Sequence, residues 1–89
     1  MPSQIAVSKR LDGDFDVALS SGKTTLHYVV SVPSHLALTL GADPAELVFQ
    51  SFVFLLEKEP ATSILSRFGL EVIPRYFPDY PAEIARRLG

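Results

Sequence analysis

The sequence predicts an α+β domain, and three observations lead there. Residues 1–33 carry three apolar stretches of period two, separated by turn residues. Residues 34–59 carry two helical stretches with start and stop signals. Beyond Pro60, prolines at 74, 78 and 81 break up any long element. The expected architecture is an N-terminal three-stranded antiparallel β-meander packed on one central helix, followed by short helices and a Pro/aromatic arm. All of it forms one domain over 1–89, with the meander in 1–33, a helical pair in 34–59 and the arm with short helices in 60–89.

The first strand rests on Ile5 and Val7, which alternate with Ala6 and Ser8; Leu11-Asp12-Gly13-Asp14 then supplies a turn. In the second, Phe15, Val17 and Leu19 alternate with Asp16, Ala18 and Ser20. Ser20-Ser21-Gly22-Lys23 is the next turn. The third strand, Thr24 to Val32, sets Leu26, Tyr28, Val30 and Val32 on one face and Thr25, His27, Val29 and Ser31 on the other. Such short links make neighbouring strands antiparallel, and Pro33, which has no N–H to donate, ends the ladder.

Ser34 caps a short helix over 35–40 that Gly41 closes. Asp43, Pro44 and Glu46 form a capping-box start with Asp at the cap, and the helix that follows runs to Lys58 because Pro60 blocks extension. Thr62 or Ser63 begins another short helix through Phe68, ended by Gly69. Residues 70–80, LEVIPRYFPDY, are expected to be an extended or turn-rich arm. A last helix covers 81–88, with Arg86 and Arg87 in its final turn, where the helix dipole favours cations.

The helix after Asp43 is apolar nearly all round. At roughly 100° per residue, Ala45, Val48, Phe49, Phe52, Val53, Leu55 and Leu56 span about 160°. Opposite them, Leu47 and Phe54 stack beside a narrow polar stripe of Glu46, Gln50 and Glu57. An all-round apolar helix is covered on most sides. Two covers are available: the C-terminal arm folding back over Leu47 and Phe54, or a second protein. The second is favoured, with Leu47, Phe54, Ile73, Tyr76 and Phe77 as the interface and a homodimer as the simplest assembly. Phe54→Asp separates the two, giving a folded monomer in one case and an unfolded chain in the other.

Composition removes several chemistries. The absence of cysteine excludes disulfides, thiolate metal sites and Cys nucleophiles. The start, MPSQIAVSKR, holds no apolar run of signal-peptide length, and the apolar run 47–56 is half of what a membrane span needs, about 20 residues. A cytoplasmic location is the expectation. Net charge is −2, with −3 in 1–59 and +1 in 60–89, which does not make a nucleic-acid footprint.

No catalytic residue, cofactor or metal ligand is assigned. His27 and His35 lack partners at metal-ligand spacing. Asp12, Asp14 and Asp16 alternate as in a calcium loop, but no glutamate stands at its twelfth position. Gly22-Lys23-Thr24 has Val17 where a phosphate loop needs its first glycine, and a strand follows instead of a helix. A helix-turn-helix over 35–58 would place LVFQSFVFLL in the groove, with little to bond base edges. A ribbon-helix-helix DNA-binding regulator of antitoxin type is the alternative function. It explains the apolar helix through an obligate dimer, although its ribbon face, Thr25, His27, Val29 and Ser31, lacks Arg and Lys. A small enzyme using His27 has no further support.

Three stretches, TTLHYVVSVP at 24–33, PAELVFQSFVFLLEKEP at 44–60 and SILSRFGLEVIPRYFPDY at 63–80, resemble a group of small uncharacterised bacterial proteins. That group shares a T-x-H-x-V strand, an S-F-x-F-L-L-E-[RK]-E helix end and an R-Y-F-P-[ED]-Y tail. The resemblance covers most of 24–80 and implies that His27 and the Tyr76-Phe77-Pro78 turn belong to a shared design. It carries no activity and assigns no functional residue. Gly69 stands where the group has an acidic residue. The functional expectation is thus a protein that acts by protein–protein contact, with itself or another protein, and without nucleic acid, membrane or small-molecule substrate.

Overall fold

A computed structural model describes residues 4–88; residues 1–3 and 89 of the expected single domain lie outside the described residues. Over the described residues the chain is α+β, with a four-stranded mixed sheet and four helices. The strands are β1 (Gln4–Lys9), β2 (Phe15–Ser21), β3 (Thr24–Ser31) and β4 (Arg67–Gly69). The helices are α1 (Ser34–Leu40), α2 (Pro44–Lys58), α3 (Ile73–Tyr76) and α4 (Tyr80–Leu88), with 3-10 turns at Ala61–Ser63 and Leu70–Val72.

The sheet order is β1-β2-β3-β4, antiparallel between the first three strands and parallel between β3 and β4. Gly22 opens the two-residue turn between β2 and β3 at φ 62, a conformation that costs glycine nothing and other residues strain. The register aligns Val7, Val17 and Tyr28 in one row and Ile5, Leu19 and Leu26 in the next. This face carries the core. The other face shows Ala6, Ser8, Asp16 and His27, all exposed.

Two expectations are corrected here. The sheet has a fourth strand, formed by residues expected to end a short helix. Arg67–Gly69 pairs with Val29–Ser31, and the Val29 N–H donates to the Ser66 carbonyl at 2.8 Å. Three residues are too few to display a period of two, so the strand left no mark in the pattern. Residues 70–80, expected as an extended or turn-rich arm, instead hold a 3-10 turn, the short helix α3 and, after a further turn, the first residue of α4. Pro74 sits in the first turn of α3, where a missing N–H removes no bond, and so it helps to start that helix.

Helix α2 begins as its sequence dictates. Asp43 accepts the Glu46 N–H at 3.2 Å, Pro44 opens the first turn, and Glu59 leaves the helix in extended geometry before Pro60. Leu47, Val48, Phe52, Phe54 and Leu55 are buried from α2, against Phe15, Val17, Leu19, Tyr28 and Val30 from the sheet and Ile64, Leu70, Ile73, Tyr80 and Ile84 from the C-terminal third. Phe52 meets the Tyr28 ring edge-on at 5.1 Å between centroids. The core therefore draws on every third of the chain.

The ribbon-helix-helix arrangement needs the strand before Pro33 free to pair with a second chain. In this fold β2 occupies one edge of β3 along its length, and β4 takes the other at Val29–Ser31. Among the described residues no single helix is long and apolar enough to cross a membrane.

Candidate functional site

The five residues singled out in the sequence fall into two places. Leu47 and Phe54 are both fully buried, so the expected apolar patch on the outer side of α2 is not exposed in this chain. The C-terminal segment supplies the cover. Phe54 lies between Phe77 and Tyr80, with centroids 5.9 and 5.4 Å away, both edge-on. Lys58 Nζ stands 5.2 Å from the centre of the same ring, and the Arg87 guanidinium 5.9 Å. A buried relay ties α4 to α2: Ser51 Oγ lies 2.7 Å from the Tyr80 hydroxyl and donates to the Leu47 carbonyl at 2.7 Å. Burial raises the Tyr80 hydroxyl pKa above its ordinary value, and the hydrogen bond with Ser51 partly offsets that rise.

Ile73, Tyr76 and Phe77 instead line a cleft of about 430 Å³ at the C-terminal end of α2. Ile73, Leu55 and Ile64 are buried within its walls, and Phe68 and Phe77 are half-buried. At its edge stand Leu65, 58% exposed, and Tyr76, 69% exposed, two of the four large apolar side chains that face solvent among the described residues. Glu59 and Ser63 are its polar members. The cleft exists because Tyr28, under the sheet, donates to the Ala61 carbonyl at 2.8 Å and fixes the 3-10 turn beyond α2. That anchor sends Ile64 inward. In the extended chain that follows, Leu65 must point the other way.

Leu55, Glu59, Ile64, Leu65 and Phe68 were not assigned to an interface from sequence. One signal was present: Ile64 and Leu65 are adjacent apolar residues outside a helix, and neighbours in an extended segment cannot share one core face.

The other polar features are structural. Arg10 pairs with Asp12 at 3.3 Å and Asp16 at 2.8 Å, while Asp12 accepts the Asp14 N–H at 3.0 Å, so the three aspartates close the β1–β2 turn. The Asp14 N–H chiefly, with Arg10, holds the Asp12 carboxyl below its ordinary pKa. Among the described residues no three His, Asp or Glu side chains gather where a metal ion would sit. His27 stands exposed on the uncovered sheet face. A side chain at Gly69 would run into the Glu71 carboxylate, which already occupies that space.

No family model, curated protein or solved structure matches this chain.

Proposed function

We propose that the protein works by contact with another protein, and that the cleft under Leu65 and Tyr76 receives the partner's apolar side chains. The carrying observation is the pairing of an apolar cleft with two large side chains exposed at its edge. Its volume falls within the range of natural pockets, about 300–1,000 Å³. An exposed tyrosine at the rim is a residue type that anchors interfaces, and the leucine beside it adds exposed apolar surface. In this reading the three-stranded meander on its central helix is the scaffold, and the segment 60–80 is the working part. Ile73 and Phe77 form the walls, Tyr76 the contact, and Leu47 and Phe54 support the segment from below. The site takes no cofactor and performs no catalysis, and the protein works in the cytoplasm.

A photo-activatable phenylalanine analogue at position 76 tests this in living cells, with position 23 in the exposed turn as control. One discrete protein adduct from position 76, absent from 23 and lost on adding Leu65→Glu, is the expected result. No adduct, or an adduct indifferent to Leu65→Glu, would sink it. Leu65→Glu leaves the fold intact because Leu65 already faces water.

A further inference from the structure

We infer that β1 is a self-association edge, at which two copies of this chain join their sheets by antiparallel pairing about a two-fold axis at Ala6. The orientation of the backbone carries the inference. The Arg10 N–H donates to the Asp14 carbonyl at 2.8 Å, and the register continues without a bulge through Lys9↔Phe15 and Ser8↔Asp16 to Gln4↔Ser20. Backbone polar groups alternate sides along a strand, so Gln4, Ala6 and Ser8 bond to β2. The N–H and C=O of Ile5, Val7 and Lys9 therefore point away from the sheet. Within the described residues β2 is the only strand paired with β1.

Natural edges are blunted by bulges, prolines, central charges or very short strands. Within β1, Gln4–Lys9 has no bulge, proline or central charge, and its one charge, Lys9, stands at the end.

The pattern is self-complementary. Pairing about Ala6 sets Ile5 opposite Val7 of the second copy, and Val7 opposite its Ile5, each pair exchanging two hydrogen bonds. Both pairs lie on the core face, apolar against apolar. On the uncovered face Ala6 meets Ala6 and Gln4 meets Ser8, and no like charges oppose one another. A slide by one residue would set Ile5 against Ser8, and a slide by two, with the axis at Val7, would set it against Lys9, so the apolar pattern selects the register. A second observation points the same way. Helix α2 packs over β1, and on the flank of α2 opposite Leu47 and Phe54, Phe49 and Val53 are half-buried yet outside the core cluster. A second sheet joined at β1 lies beside the helix that carries them. This surface is separate from the cleft and does not depend on it.

Light scattering over a dilution series, with the variants Ala6→Lys and Ala6→Glu, tests the inference. Ala6 is exposed on the uncovered face, so either charge leaves the monomer fold unchanged while placing like charges together at the axis. The expected result is a wild-type dimer, at least about tenfold weaker association for each variant alone, and recovery of the dimer when the two variants are mixed. Amide exchange supplies a readout without mutation: Ile5 and Val7 N–H groups are protected in the dimer along with those of Ala6 and Ser8. A monomer at every concentration overturns the inference. So does a dimer indifferent to both charges in which the Val7 amide exchanges freely, since that dimer is joined elsewhere.

Discussion

At the scale of single residues, the Tyr80 hydroxyl and the Phe54 ring are both buried but hold the chain in different ways. Tyr80 contributes its ring to Phe54 and its hydroxyl to Ser51, and Ser51 keeps the Leu47 carbonyl as partner whatever happens at Tyr80. Tyr80→Phe therefore removes one net hydrogen bond, about 1 kcal/mol in urea unfolding. Phe54→Ala leaves a cavity among two aromatic and two charged neighbours and costs about 3–5 kcal/mol. Comparable losses for both variants would mean that the relay, not the ring packing, holds α4. For Phe54→Asp the same geometry predicts an unfolded chain, because the carboxylate would be buried with only Lys58 and Arg87 nearby. Sequence identified Phe54 as exceptional for its polar-side position but favoured a second protein as its cover, where the chain's own Phe77 and Tyr80 lie over it. That choice depends on Tyr80, 26 residues on, and no local pattern encodes it.

At the scale of elements, caps and periods were legible wherever they were long enough to repeat. The strand alternation at 15–19, the cap at Asp43 and the stop before Pro60 all correspond to observed elements. The failures were short: three residues of β4, and the four-residue α3 whose first turn holds the proline expected to forbid it. The cleft shared this fate. Its walls come from α2, the segment around Ile64, β4 and α3, so the residues that made it were visible as apolar but not as neighbours.

The attachment of α4 to α2 also has a pH signature. Glu57 accepts from Arg87 at 2.7 Å and Asp79 from Lys58 at 3.0 Å, and these hydrogen bonds hold both carboxyls below their ordinary pKa values. Depressed folded-state values mean that this stabilisation is full above the unfolded-state pKa, about 4, and fades as pH falls through and below it. Melting temperature should therefore drop on acidification below about pH 4, with a shallower drop in the Glu57→Gln, Asp79→Asn double variant. An unchanged slope would show that neither contact contributes. Both pairs are solvent-exposed, so the effect is modest.

At the scale of the whole molecule, one core is shared by segments far apart in sequence, and β4 closes the sheet from the C-terminal side in parallel. Deleting residues 80–88 should abolish cooperative thermal unfolding and produce strong binding of a hydrophobic dye, since Leu47 and Phe54 lose their cover. Retention of a sharp transition would mean that the meander and α2 are stable alone. The bulk composition had placed the chain among small domains with one core, and the α+β class followed from the order of strands before helices. How the last third wraps was beyond it, because that is a matter of tertiary packing.

The latch between Tyr80 and Ser51 has a consequence for synthesis. While the ribosome is still reading the codons for residues 80–88, the strands and α2 have already been made, yet the greasy strip through Leu47 and Phe54 has nothing to lie against. The nascent chain must carry that strip bare until translation of α4 is finished. It is in this interval that a holding chaperone would find the protein, and after it that the binding site would vanish.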